Sequence, residues 1–197
     1  MQKRLYPWET AGLLALCVTL LFGLWAERRQ TALAENIVRL HVIAASDSEA
    51  DQAEKLRVRD AVLSYLAPKL RDAASAEEAA DTLRAALPEV AALSETVSGR
   101  SARAELGREF YPTREYETFS LPAGAYTSLR VTLGEGAGHN WWCVVYPPLC
   151  TAAAEEVRST AALSEDDLKL ITGEDGEYIF KFRIIEWWET WKVNLKS

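Results

Sequence analysis

The chain has few of the residues on which metal and thiol chemistry depend. It contains two histidines, three cysteines and a single methionine among 197 residues. The two histidines lack the spacing of a metal site, so we expect neither a metal nor another cofactor. Internal repeats and low-complexity linkers are also missing, which favours one folded domain after the N-terminal segment.

Basic charge is scarce as well. The net charge of the chain is −7. The first 34 residues hold four basic and two acidic residues, which leaves 18 basic and 27 acidic residues, a net charge of −9, in residues 35–197. A domain this acidic is poorly suited to binding nucleic acid or an anionic membrane surface. We therefore expect a protein or a small molecule as partner, and membrane contact only through the N-terminal segment.

Residues 1–34 are predicted to be a signal peptide or a membrane anchor. Lys3 and Arg4 precede an apolar run over residues 11–26, and Ala32-Leu33-Ala34 fits the small-x-small pattern of a cleavage site. The charged residues 27–29 lie between the run and that site, as they do beside a membrane anchor. Both interpretations place residues 35–197 outside the cytoplasm, and the sequence leaves the choice between them open.

The segment after this one alternates like a strand. Residues 36–44 place Val38, Leu40 and Val42 on one face, and Ile37, Arg39, His41 and Ile43 on the other. We expect His41 to be a hydrogen-bonded core or edge residue rather than a metal ligand.

Capping boxes predict the helices that follow. Ser46 with Glu49 predicts a helix over residues 47–71, and Ser75 with Glu78 predicts a second one to about Ala86. A shorter helix is expected from Pro88 to Val97. In the first helix, one stripe of leucines predicts the face that packs on a sheet: Leu56, Leu63, Leu66 and Leu70. Arg59 falls within this stripe, so we expect it either to lie at the rim of the packed face or to form a buried ion pair.

The second half of the chain is predicted to be mainly strands. They cover residues 104–111, 116–121, 126–133 and 141–146, and the last two are expected to form a hairpin. A short helix over residues 165–171, a strand over 177–183 and a helical tail complete the prediction. The fold class is therefore α+β, a mainly antiparallel sheet with packed helices.

The stretch from Leu133 to Cys150 concentrates unusual residues and is the predicted functional centre. Three glycines in five residues form a loop that leads into His139, Asn140, Trp141 and Trp142. The two tryptophans should lie on opposite faces of a strand, one in the core and the other exposed or in a pocket. An exposed indole beside such a loop is a common recognition anchor, although a tryptophan-rich core would explain the same residues.

Cys143 and Cys150 bracket a Pro-Pro turn in a chain that is predicted to be exported. A disulfide is favoured in that setting, and two separate buried thiols are the alternative. A thiol hydrolase built from Cys143, His139 and Glu135 is another possibility, but strand spacing places the first two roughly 7 Å apart. The glycine loop lacks the residues of a phosphate-binding loop.

Three segments carry a resemblance to the stage II sporulation protein R family of endospore-forming Firmicutes. They are residues 37–62, residues 129–150 and the tail F-R-I-I-E-W-W-E. The resemblance implies a developmental signal with no catalytic activity, exported from the forespore into the intermembrane space. There it would activate a membrane-embedded aspartic peptidase of the mother cell, which processes the sigma-E precursor.

A hypothesis for the docking surface combines the resemblance with the sequence. The tip from Gly134 to Trp142, braced by Cys143–Cys150, would contact the extracytoplasmic face of the peptidase. The predicted partner-binding residues are Glu135, His139, Asn140, Trp141 and Trp142. The competing hypothesis is an exported cysteine hydrolase that acts on cell wall or peptide.

Overall fold

The computed structural model describes residues 6–116 and 119–148. In chain order their helices and strands are α1 (Pro7–Glu35), β1 (Val38–Ile43), α2 (Glu49–Leu70), α3 (Ala76–Ala85), α4 (Leu87–Ser98), β2 (Ala102–Tyr111), β3 (Arg114–Glu115), β4 (Ser120–Leu121), β5 (Gly124–Leu133) and β6 (Asn140–Tyr146). The elements predicted after Cys150, and Cys150 itself, lie outside the described residues.

A four-stranded mixed sheet forms the centre of the fold, with strand order β2-β5-β1-β6. Strand β1 pairs parallel with β5 and antiparallel with β6, and β2 pairs antiparallel with β5. The α+β class with a mainly antiparallel sheet is confirmed. The predicted hairpin of β5 and β6 is wrong, because β1 lies between them and pairs with both.

Strands β3 and β4 form a separate two-stranded ribbon, called here the β3–β4 hairpin. A strand over residues 116–121 was predicted, but in the described residues of that range only Ser120 and Leu121 are extended and paired. The amide of Tyr116 instead donates to the carbonyl oxygen of Phe119 at 2.8 Å. Tyr116 and Phe119 are therefore bonded to each other rather than lying on one continuous strand.

The first core lies between one face of the sheet and helices α2 to α4. Alternation in β1 sends Val38, Leu40 and Val42 to this face, as predicted. The helices contribute Val58, Val62, Leu66, Leu70, Ala79, Leu83 and Val90. Leu63 packs at the margin of this core, whereas Leu56, predicted in the stripe, is 39% exposed. The buried stripe follows a four-residue spacing that excludes Leu56.

The helix caps agree with the predicted boundaries to within two residues. Helix α2 is capped by Ser48, whose hydroxyl accepts from the amide of Asp51, rather than by Ser46. The hydroxyl of Ser46 is engaged in donating to the carboxylate of Asp51 at 2.6 Å. Helix α3 is capped by Ser75 as predicted, and α4 ends at Ser98, followed by Gly99 in the left-handed conformation.

The second core covers part of the opposite face of the sheet. It joins the last turn of α1 to the β3–β4 hairpin and the sheet, through Leu33, Ala34, Ile37, Tyr111, Phe119, Leu121, Tyr126 and Val144. Leu33 is 0% exposed. The apolar side chains earlier in α1 are exposed, and α1 is long and apolar enough to cross a membrane. The predicted cleavage site after Ala34 therefore lies in a helix turn that packs against the domain.

Candidate functional site

Residues 134–139, called here the glycine loop, cross the end of β1 instead of capping a hairpin. The amide of Ala137 donates to the carbonyl oxygen of Ala45 at 3.2 Å, and the amide of Gly138 donates to that of Ala44 at 3.0 Å. Gly134 and Gly136 adopt positive φ angles of 52° and 65°, which residues with a side chain rarely adopt. The loop is therefore fixed to the connection between β1 and α2.

His139 ties the glycine loop to the start of α2. Its amide donates to the Asp47 carboxylate at 2.6 Å, and its Nδ1 contacts the same oxygen. The Nζ of Lys55 donates to the His139 carbonyl oxygen at 3.0 Å. Burial lowers the pKa of Lys55, because water is withdrawn from its ammonium group. The His139 side chain is 76% exposed, so its ring presents a surface while its backbone is held.

Three of the five predicted partner-binding residues are exposed at this end of the sheet. Glu135, His139 and Asn140 all lie at the surface. Asn140 also bonds to the neighbouring strand, because its Oδ1 lies 2.9 Å from His41 Nε2. The glycine loop and the start of β6 therefore form one polar, hydrogen-bonded surface.

Trp141 and Trp142 lie on opposite faces of β6, as predicted. Both are partly buried, so the prediction of one core indole and one exposed indole is wrong. Trp141 packs at the first core beneath Arg59, whose guanidinium carbon is 4.9 Å from the indole centroid. Trp142 packs at the second core beneath Arg114, with a corresponding distance of 4.1 Å. Each indole is thus covered by an arginine, and the predicted rim position of Arg59 has a defined role.

A polar network on the second face of the sheet was missed by the sequence analysis, apart from His41. Glu109 is its centre: it contacts His41 Nδ1 at 3.1 Å, accepts from the Tyr111 hydroxyl at 2.7 Å, and accepts from Arg130 at 3.0 Å. Burial alone would raise the pKa of Glu109, but hydrogen bonds from His41 and Tyr111 outweigh it and lower the pKa to about 2.

For Tyr111 burial is the dominant influence, and it raises the pKa of the hydroxyl well above its usual value. The Tyr111 hydroxyl also lies 2.6 Å from the Ser128 hydroxyl. The alternation of side chains in β2 and β5 could have revealed this face. Polar residues lie two positions apart in each strand, and therefore on the same face: Glu109 and Tyr111 in β2, and Ser128 and Arg130 in β5. Their convergence on His41 requires the strand order.

The structure describes one of the two cysteines of the predicted Cys143–Cys150 bridge. Cys143 lies in β6, is 1% exposed and is disulfide-bonded, whereas Cys17 is free. Cys150 lies outside the described residues, so the pairing stays a prediction. A bridged Cys143 provides no thiolate, and His139 of the alternative hydrolase is engaged with Asp47 in the glycine loop.

The described part of the chain contains no group of three histidine, cysteine, aspartate or glutamate side chains arranged to hold a metal ion. What its geometry offers is a fixed polar loop at one end of the sheet and a charged, aromatic face beside it. Such a surface is suited to recognition.

Comparison with known proteins gives a family for this chain. The family model "Stage II sporulation protein R" matches residues 34–156. Stage II sporulation protein R of Bacillus subtilis (strain 168) is 38% identical over 130 residues, which cover 64% of this chain and 58% of the relative. The chain thus spans less than two thirds of that relative's length. No solved structure matches the chain.

The matched residues include all of β1 to β6 and the helices between them. The glycine loop, both tryptophans of β6 and the polar network around Glu109 all fall within this range. The chain therefore belongs to the stage II sporulation protein R family.

Proposed function

We propose that this chain is an exported signalling protein that activates a membrane-embedded aspartic peptidase, the enzyme that processes the sigma-E precursor during sporulation. Membership of the family supports a role in sporulation. The apolar helix α1 fits a signal peptide or an anchor, and residues 35–197 would act outside the cytoplasm of the forespore, in the intermembrane space. The peptidase as partner remains the proposed step.

One structural relationship carries this proposal: α1 and the glycine loop lie at opposite ends of β1. Helix α1 ends at Glu35, just before β1, and the glycine loop bonds to Ala44 and Ala45, just after it. Six strand residues span about 20 Å at 3.3 Å each. If α1 enters one membrane, the loop is directed away from it. That is the orientation needed to reach a protein in a facing membrane.

The glycine loop is also preorganised for binding. Its backbone is fixed by hydrogen bonds to Ala44, Ala45 and Asp47, so little conformational freedom is lost when a partner docks. Glu135 and His139 remain exposed on this fixed backbone. Activation additionally requires that the loop bind the active, dimeric state of the peptidase more tightly than the inactive state, since only a difference in affinity shifts the equilibrium.

The packing of the tryptophans determines which residues can test the proposal. Replacing Trp141 or Trp142 by alanine would remove an indole that packs on a core. A loss of activation in such a variant could then come either from a folding defect or from a docking defect. Glu135 is exposed and makes no hydrogen bond or ion pair in the described part of the chain. Changes at Glu135 therefore test docking alone.

The experiment is Glu135→Arg in the full chain, with processing of the sigma-E precursor measured in sporulating cells. We expect processing to fall about tenfold, the effect of losing ~1.4 kcal/mol of binding. Glu77→Arg, the same charge reversal at an exposed position of α3, is the matched control and should process normally. Normal processing by Glu135→Arg, with normal protein levels, would show that the glycine loop is not the docking surface.

A further inference from the structure

Among the residues that the structure describes, three buried hydrogen-bond donors on the second face of the sheet have no partner. They are Nε and Nη1 of Arg39 and Nε1 of Trp142. One other buried side-chain atom in the described residues lacks a hydrogen bond, Glu54 Oε1, but it lies 2.8 Å from Arg100 Nε in an ion pair. The unsatisfied atoms are therefore all donors, and they all belong to two neighbouring strands.

Arg39 and Trp142 meet at the ring of Tyr111. The guanidinium carbon of Arg39 is 3.9 Å from the Tyr111 ring centroid, and the Trp142 and Tyr111 rings are 6.1 Å apart. In the register of β1 with β6, Arg39 pairs with Val144 and His41 pairs with Trp142. Arg39 and Trp142 are thus diagonal neighbours on one face, about 7–8 Å apart at the backbone.

The cation at this position has no counter-charge among the described residues. Arg39 is 0% exposed and forms no ion pair there; its one hydrogen bond is from Nη2 to the Tyr116 hydroxyl, at 2.8 Å. Glu109, a carboxylate on the same face, is already engaged by His41, Tyr111 and Arg130. A buried, unpaired guanidinium is unfavourable, so an additional acceptor would be bound strongly here.

We propose that Arg39 and Trp142 form a binding site for a carboxylate beneath the β3–β4 hairpin. Only an acceptor satisfies three donors, and the positive charge selects an anion. The planar fork of a guanidinium matches the two oxygens of a carboxylate, which leaves the indole N–H to donate to one of them. Two sources share this chemistry: a free small carboxylate, and an aspartate or glutamate side chain of a protein partner.

The β3–β4 hairpin is the cover of the site. Tyr116 holds Nη2 of Arg39, and Arg114 lies over the Trp142 ring. Phe119 and Leu121 anchor the hairpin in the second core, whereas Tyr116 is only partly buried, so its side chain is the part of the cover that can move aside. A carboxylate that enters would replace the Tyr116 hydroxyl and come within reach of the Arg114 guanidinium. The site does not depend on docking by the glycine loop, because Arg39 and Trp142 both lie outside residues 134–139.

The test follows the indole N–H signals of the full chain in detergent micelles by ¹⁵N NMR. The chain has seven tryptophans, and the signal lost in Trp142→Phe identifies Trp142. Sodium acetate is titrated against sodium chloride at constant sodium concentration. We expect the Trp142 signal to move downfield saturably, and the unfolding temperature to rise with acetate, because a ligand of the native state stabilises it.

Arg39→Met should abolish both responses, and Arg57→Met, a change at an exposed arginine of α2, should leave them intact. If Arg39→Met does not fold, Arg39→Lys keeps the charge without the fork and should weaken the acetate response at least tenfold. An unmoved Trp142 signal in the unmodified chain, or equal responses in the unmodified chain and the folded Arg39 variant, would overturn the proposal.

A second titration distinguishes the two sources. N-acetyl-aspartate amide presents the side chain of a protein, and N-acetyl-asparagine amide is its neutral control. A response to blocked aspartate at a concentration tenfold or more below that of acetate indicates a protein side chain. Equal responses indicate a free small carboxylate. A response to blocked asparagine equal to that of blocked aspartate would show that charge is not recognised, and would contradict the carboxylate site.

Discussion

The amide of Gly138 donates a hydrogen bond to the carbonyl oxygen of Ala44, which joins the glycine loop to the residue that follows β1. The contact is so close that a Cβ added to Gly138 would lie 2.2 Å from the backbone oxygen of Ser46. Glycine is therefore required here by close packing rather than by backbone conformation.

Gly138→Ala should destabilise the chain by about 1–3 kcal/mol, because the backbone of Ser46 has to move to make room. The urea midpoint of the full chain in detergent micelles measures the effect. Gly107→Ala is the matched control, since a Cβ there meets no atom within 4 Å. Equal midpoints for the two variants would contradict the packing of the loop on the β1–α2 connection.

The pKa of Glu109 predicts an acid-sensitive contribution to stability. Its folded pKa of about 2 lies below the ordinary value of 4.5, so the ionised form stabilises the native state above pH ~4.5, and this contribution is lost as the pH falls towards 2. The unfolding temperature of the unmodified chain should therefore drop more steeply between pH 5 and 3 than that of Glu109→Gln. Parallel curves would refute the role of Glu109 as centre of the network.

Leu33 tests whether the last turn of α1 belongs to the domain. The residue is fully buried in the second core, so Leu33→Ala should cost about 2–4 kcal/mol. Leu24→Ala, on the same helix but 54% exposed, should leave the domain unchanged. The measurement is the loss of near-ultraviolet circular dichroism on heating. Leu33→Ala and Leu24→Ala would behave alike if the end of α1 did not pack on the sheet.

The cysteines predict a simple thiol count. One thiol, that of Cys17, should react with an alkylating agent in the unfolded, unreduced chain, and three should react after reduction. Three reactive thiols without reductant would exclude the Cys143–Cys150 bridge. A fast-reacting thiol at Cys143 would favour the hydrolase, and Cys143→Ser combined with Cys150→Ser would then be expected to abolish function.

Local patterns predicted most of the fold. Alternation of apolar residues located β1 and its two faces, and serine caps located α2 and α3 to within two residues. These signals are local because caps and amphipathic faces depend on residues a few positions apart. The order of the strands is not local. Residues 133–140 read as a hairpin, yet β1 inserts between β5 and β6 from nearly ninety residues away.

The residues of the site, like the fold, were predicted only where the signal is local in the sequence. The glycine loop and Trp141-Trp142 were identified because unusual residues are adjacent in the sequence. Glu109 and Arg39 were not, because a charged residue on a strand ordinarily faces solvent. Arg39 is buried in a strand that is paired on both edges, and Glu109 of β2 reaches His41 of β1 across β5, so both relationships depend on the strand order.

The position of β1 also determines when the sheet can form. Strand β1 is synthesised first, yet both of its neighbours come from residues 124–146. Helices α2 to α4 are held by local hydrogen bonds and can form early. Both edges of β1 stay unpaired until β5 and β6 have been made. Pairings this distant along the chain slow folding. An exported chain would therefore complete its sheet only after residue 146 has crossed the membrane, and until then its central strand is open to aggregation.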